Sequence, residues 1–234
     1  MNPKKITDRN IMFTQHRPFE GMDFDLNLGL IIGSKNNFII DTGFGSESVA
    51  PIIKYITEYG HLREPIIINT HSHFDHVWGN CTFPNSMIIS HPLCRKFADR
   101  DWDNDLQKWS TYPRGNTKKH LPNTTFEGVM HFPEDGVTIF HSPGHSVDCI
   151  SVYDEIDKIL YAGDNIGDTQ DNVIPYIETD IPTFERLIEI YKRYPFEICI
   201  SGHNKPQGKD VLSRMENQLE ASWKQQVAKY GLPV

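Results

Sequence analysis

A chain of 234 residues with 38% hydrophobic and 11% aromatic side chains holds enough apolar mass for a packed core, which excludes a disordered tail protein. Lysine and arginine total 23 against 31 acids, a net charge of −8; that field repels phosphate backbones, so nucleic acid is not expected as a partner. The first ten residues, Met1 to Asn10, are polar and contain no apolar signal region. The longest apolar runs, such as Ile66-Ile67-Ile68, fall far short of the roughly 20 residues that cross a bilayer. Cys81, Cys94, Cys149 and Cys199 form no CxxC pair and read as reduced thiols. A cytoplasmic protein with no membrane partner is expected.

In chain order, residues 11–41 are strand-rich, and Phe38-Ile39-Ile40 runs directly into Asp41-Thr42-Gly43. Ser48 to Tyr59 places Ile52, Ile53 and Ile56 on one face with Gly60 as a stop, which predicts a helix. Ile66-Ile67-Ile68 then leads into Asn69-Thr70-His71. From about His91 to Phe132 the chain is irregular, with Trp102, Trp109 and Tyr112 spaced through it. A stretch this long between strands is usually functional, and it reads as a cap over the active site with one or two short helices; the alternative is a flank segment whose aromatics simply pack. Within it Arg114, Lys118 and Lys119 form the one basic cluster, a solvated surface. Val137-Thr138-Ile139-Phe140 leads to His141-Ser142-Pro143-Gly144-His145, Ile159-Leu160-Tyr161 to Ala162-Gly163-Asp164, and Ile198-Cys199-Ile200 to Ser201-Gly202-His203. Short branched apolar runs bounded by such residues predict buried strands whose ends deliver polar side chains. Between them Ile181, Phe184, Leu187, Ile188 and Tyr191 mark a helix ended by Pro195, and Leu212, Met215, Leu219, Trp223 and Val227 mark another from about Lys209 to Tyr230. The pattern is α/β or α+β: sheets covered by helices.

The chemistry concentrates in Thr70-His71-Ser72-His73-Phe74-Asp75-His76. Crowding three histidines and an aspartate just past a buried strand costs desolvation and charge repulsion unless a cation compensates. His71 and His73, two apart on an extended segment, point the same way and can grip one ion; Asp75 and His76 point elsewhere, toward a second. Imidazole and carboxylate ligands without thiolate suit zinc, iron or manganese, with zinc the commonest outcome. A closed structural zinc site normally takes four ligands and favours cysteine, so a catalytic centre is the better reading.

These elements in this order resemble the metallo-β-lactamase superfamily: Asp41 after an early strand, the HxHxDH run at 71–76, then His145, Asp164 and His203, across about residues 25 to 205. The resemblance implies a single domain over 1–234 with the four-layer αββα sandwich fold, a cap insertion at about 91–132, and two divalent metal ions. It assigns His71, His73 and His145 to one ion, Asp75, His76 and His203 to the other, Asp164 as the bridge and Asp41 as a buried support behind the ligands. Two departures stand out. Trp78 and Asn80 flank Gly79 where many relatives have a glycine pair, which predicts a bulkier pocket floor. Asp148 follows His145 closely and is either an acceptor for a ligand histidine or a loop residue.

Two ions close together can share a hydroxide that is nucleophilic near neutral pH, while one polarises the substrate oxygen. Asp75 would orient that nucleophile or return a proton to the leaving group. Lys205 could meet an anionic group of the substrate, and Trp78, Ile166, Trp102, Trp109 and Tyr112 could line its apolar part; a solvent-facing lysine is the plain alternative for Lys205. Within the superfamily, hydrolysis of a small thioester, lactone or other acyl compound, as in the glyoxalase II and lactonase-like branch, fits best, although the separate helical domain of glyoxalase II is missing. Phosphodiester cleavage is disfavoured by the charge, β-lactam hydrolysis by the absent signal region, and a diiron redox role by the absence of a motif glutamate. A non-catalytic metal-binding module is the alternative from another class, and retention of every ligand position counts against it.

Overall fold

The computed structural model describes residues 3–16, 25–167, 169 and 171–231; positions 17–24 of the strand-rich stretch 11–41 lie outside them. In chain order the elements are β1 (Pro3–Lys5), β2 (Asn10–His16), β3 (Asp25–Ile32), β4 (Asn37–Ile40), α1 (Ser46–Glu58), β5 (Ile66–Ile68), α2 (Phe74–Val77), a 3-10 turn (Trp78–Thr82), β6 (Ile88–Ser90) and α3 (Pro92–Lys108). They continue with β7 (Thr124–Thr125), β8 (Val129–Phe132), β9 (Val137–His141), β10 (Ile150–Asp154), β11 (Ile159–Gly163), α4 (Ile181–Lys192), β12 (Ile198–Ser201), β13 (Gln207–Gly208) and α5 (Val211–Tyr230). The strands form a 7-stranded sheet in the order β1 to β7 and a 6-stranded sheet in the order β13-β12-β11-β10-β9-β8.

Alternation along the strands builds three apolar layers. In β4, Phe38 and Ile40 face the second sheet while Ile39 faces outward; in β5, Ile66 and Ile68 face inward and Ile67 outward. The inward set meets Val137, Ile139, Ile150, Val152, Ile159 and Ile200 of the opposing sheet. The outward set of the first sheet packs on Val49, Ile52 and Ile56 of α1, and the outer face of the second, with Leu160 and Cys199, packs on Phe184, Leu187 and Ile188 of α4 and Met215 and Leu219 of α5. Burial on both faces is why these strands read as continuous apolar runs. Each such side chain contributes roughly 1.5–3 kcal/mol. The result is an αββα sandwich, the fold class expected.

Parallel pairing aims the site. β4, β5 and β6 run parallel to one another, as do β11 and β12, so their carboxyl ends emerge on one edge of the sandwich. The sheets are stitched together there: Ile150 N donates to Thr70 O at 2.8 Å, and Asn27 N to Gly202 O at 2.7 Å. At the far end Asn10 joins the sheets, its Nδ2 donating to Asp154 Oδ2 at 2.7 Å while its Oδ1 accepts from Tyr161 OH at 3.0 Å.

The stretch 91–132 departs from the expectation of an irregular insertion. It contains the 17-residue α3, and its last strands join the fold, β7 pairing with β6 and β8 with β9. It is the crossover between the two sheets, irregular between α3 and β7 and again at 126–128 between β7 and β8. Proline in the first turn and Cys94, Ala98 and Trp102 buried at four-residue spacing were the available helix signals; the intervening Arg, Asp and Asn residues masked them. Among the described residues no helix is long and apolar enough to cross a membrane.

Candidate metal centre

Five loops carry the polar cluster, each leaving the end of a strand or entering a helix. After β5 the chain bends through Thr70, His71 and Ser72, is extended at His73, and enters α2, which carries Asp75 and His76. After β9 a tight loop presents His145: Asn165 Oδ1 accepts from His145 N at 2.8 Å while Asn165 Nδ2 donates to Ser142 O at 2.8 Å. β11 ends at Gly163, whose φ of 55° is left-handed and suits glycine, and hands over to Asp164. β12 ends before Gly202 and His203; a Cβ on Gly202 would collide with the Asp164 carboxylate, so glycine is required where these two loops meet.

All seven residues expected as ligands converge, and all but His73 are buried. His71, His73, His145 and Asp164 each present a ligand atom within 4.8 Å of the others, and Asp75, His76 and His203 do the same. Asp164 lies between the sets: Oδ2 is 3.5 Å from His71 Nε2 and 3.1 Å from His203 Nε2, and Oδ1 is 3.3 Å from His76 Nε2. His71 Nε2, His76 Nε2 and Asp164 Oδ1 are buried without a hydrogen-bond partner. Buried polar atoms are rarely left unpaired, and these three point into the cluster, so the donor set fits divalent cations.

The atoms behind the ligands are equally organised. Asp41, left-handed at φ 60° and buried, accepts from Thr70 N at 2.7 Å, from Thr70 Oγ1 at 2.7 Å and from His76 Nδ1 at 2.8 Å. His145 Nδ1 lies 2.6 Å from Tyr176 O, and His203 Nδ1 lies 2.7 Å from Asp25 O. Asp148 resolves the choice left by the sequence: it supports a backbone, its Oδ2 accepting from Ser72 N at 2.9 Å and its Oδ1 from Ser146 Oγ at 2.6 Å. It thus ties the HxHxDH loop to the His145 loop.

Other expectations are corrected. Trp78 and Trp102 are 0% and 2% exposed and pack with Val77 and Ala98, and Ile166 is buried beneath α4; all three lie in the core of this structure rather than on its surface. Asn80 does not bulk the pocket floor either. It is buried, with Oδ1 accepting from Thr42 Oγ1 at 2.9 Å and Nδ2 donating to Asn69 Oδ1 at 2.8 Å. Trp109 and Tyr112 are half-buried; Trp109 stacks on Phe74 with ring centres 5.4 Å apart and Tyr112 on Phe44 at 6.1 Å. Lys205 is exposed, two residues past His203. Glu178 joins the site without any signal in its local sequence, its Oε1 lying 3.2 Å from His73 Nε2.

Burial alone would lower every imidazole here, and in His71 and His145 it prevails. In His76 and His203 the surrounding Asp164 and Asp75 carboxylates outweigh burial and hold the rings well above their ordinary value. In His73 the Glu178 carboxylate does so, raising it to about 9. At pH 7 a cation must therefore displace protons from His73, His76 and His203 but none from His71 or His145. Isothermal titration of zinc into metal-free protein, in two buffers of different ionisation enthalpy, is expected to show release of about three protons per chain, one from each of those rings, with apparent affinity falling as pH falls. Zinc binding without proton release at pH 7 would contradict this distribution.

A family model described as the metallo-beta-lactamase superfamily matches residues 23–203. Similar curated proteins include the acyl-coenzyme A thioesterase MBLAC2 of Homo sapiens, 28% identical over 233 residues that cover 88% of this chain and 82% of that protein. The Gallus gallus protein of the same name is 25% identical over 229 residues, covering 88% and 81%. Among solved structures, a metallo-beta-lactamase from Pontibacter korlensis aligns with a TM-score of 0.74 at 20% identity, over 94% of this chain and 98% of that one. FIM-1 from Pseudomonas aeruginosa in its mono-zinc form aligns with 0.75 at 16% identity, over 94% and 95%.

Proposed function

The chain belongs to the metallo-beta-lactamase superfamily, and from that premise we propose that this hydrolase holds two divalent ions, zinc foremost, and cleaves a small acyl substrate, a thioester before a lactone or oxygen ester. The observation that carries the two-ion reading is the pair of ligand sets meeting at Asp164, with the inward atoms of His71, His76 and Asp164 unpaired. His71, His73 and His145 would hold one ion, Asp75, His76 and His203 the other, and Asp164 both. Bound there, the ions would supply an acidified water and a Lewis acid for the acyl oxygen.

The chain's own residues do the rest. Asp41 and Tyr176 fix ring orientation from behind, so the inward nitrogens need no reorganisation during the reaction. Asp75, 3.3 Å from His203 Nε2 and 3.6 Å from His76 Nε2 through Oδ2, would take the proton of the attacking water and pass it to the leaving sulfur or oxygen. Trp109 and Tyr112 are the aromatic candidates for the apolar part of the substrate, and Lys205 for an anionic part.

Acyl rather than phosphodiester cleavage is supported by the thioesterase relatives, and the net charge of −8 disfavours a nucleic-acid backbone as the substrate. On zinc-loaded protein, kcat/KM for an acyl-coenzyme A thioester is expected to exceed that for an aryl phosphodiester by more than about a hundredfold, roughly 2.7 kcal/mol of transition-state preference. A phosphodiester that wins by tenfold would overturn the acyl reading while leaving the metal assignment intact.

A further inference from the structure

We propose that Glu178 is a positioning residue for the first metal site: by accepting the Nε2–H of His73 it holds that ring with Nδ1 facing the ion. This rests on the reading of His71, His73 and His145 as ligands of one ion. Four of the five histidines share one arrangement, with Nδ1 turned to a partner behind and Nε2 inward. Their partners are Thr70 Oγ1 for His71 at 3.1 Å, Asp41 for His76 at 2.8 Å, Tyr176 O for His145 at 2.6 Å and Asp25 O for His203 at 2.7 Å. His73 is reversed. Its Nδ1 lies 3.2 Å from His145 Nε2, inside the cluster, and its Nε2 lies 3.2 Å from Glu178 Oε1.

His73 is also the ring that packing holds least, since its side chain is 35% exposed whereas those of His71 and His76 are fully enclosed. An imidazole that is not enclosed keeps its rotameric freedom unless a hydrogen bond at the far nitrogen removes it. Glu178 is itself carried on a fixed backbone. Its amide donates to His145 O at 2.8 Å, Tyr176 O meets His145 Nδ1, and Ile177 N donates to Gln226 Oε1 of α5 at 2.9 Å. The segment 176–178 therefore grips His145 by main chain and His73 by side chain, setting the distance between two ligands that come from different sheets. Because the Glu178 side chain is 41% exposed, its replacement opens no cavity.

The test is zinc affinity of the full chain, measured by titrating metal-free protein against a competing chelator. Wild type should first show two ions per chain; if it does not, the ligand reading fails before Glu178 is addressed. In a His203→Ala background, which isolates the first site, Glu178→Ala is expected to weaken zinc binding about 10- to 100-fold. Glu178→Gln, which keeps an acceptor oxygen at the same reach, should recover most of that loss. Adding Glu178→Ala to His73→Ala should cost nothing further, because the effect runs through that ring. First-site affinity unchanged in Glu178→Ala, no recovery in Glu178→Gln, or an undiminished loss in the absence of His73 would each overturn the proposal.

Discussion

Replacement of Asp164 by asparagine is expected to strip metal from both sites and to lower kcat/KM by at least about a hundred- to a thousandfold, the scale on which a single preorganised electrostatic group acts. The carboxylate lies within 3.5 Å of His71, His76 and His203 through its two oxygens, and burial, which would raise its pKa, is overruled by those three rings, which hold it well below the usual carboxylate range. An amide has similar shape but supplies neither the second acceptor oxygen nor the charge, so His76 and His203 lose the partner that most favours their protonated forms, and two cations would face each other without the anion between them. Elemental analysis after reconstitution and gel filtration should fall from two ions per chain to fewer than one, while far-UV circular dichroism stays native because Gly202 leaves room for an isosteric side chain. A variant that retains two ions and wild-type turnover would remove Asp164 from the centre.

Replacement of Asp41 by alanine is expected to destabilise the fold itself, by about 3–5 kcal/mol, the cost of breaking a buried charged network from one side. The carboxylate satisfies Thr70 N, Thr70 Oγ1 and His76 Nδ1 at once, and all four groups are buried. Its removal leaves Thr70 N and Thr70 Oγ1 without their carboxylate acceptor and takes from His76 one of the three carboxylates around it. Asp41 sits at φ 60°, where aspartate and asparagine are tolerated better than alanine, so Asp41→Asn should lose clearly less stability than Asp41→Ala. Urea denaturation of the metal-free proteins measures both. Equal stability of Asp41→Ala and wild type would show that Thr70 and His76 find other partners.

Much of the site was legible because a ligand set and the strand that delivers it are contiguous. Phe38-Ile39-Ile40 before Asp41, the isoleucine run before His71, and Ile198-Cys199-Ile200 before His203 each carry both the burial signal and the polar end in one short stretch. The bounds expected for α1 and α5 lie within two residues of those observed, and the stripe Ile181 to Tyr191 falls inside α4. The 17-residue α3 is longer than the short helices expected there, since only three of its residues are buried and its polar majority reads as loop.

From short apolar runs ending in polar residues the sequence by itself determined sheets covered by helices, while the sandwich and the set of seven side chains followed from the resemblance that the ordered motifs carry. Apart from Asp41, whose supporting place the resemblance implied, only the tertiary structure decided which groups stand behind them. Glu178, Tyr176, Asn165 and Asp148 come from segments with no motif, brought to His73, His145 and Ser72 by the closing of two sheets. It likewise decided that Trp78 and Trp102 are core, because an aromatic ring looks the same in a sequence whether it faces a substrate or another ring. Orientation of a side chain depends on what packs against it, and those partners lie far along the chain, 105 residues for Glu178 and His73 and 178 for Asp25 and His203.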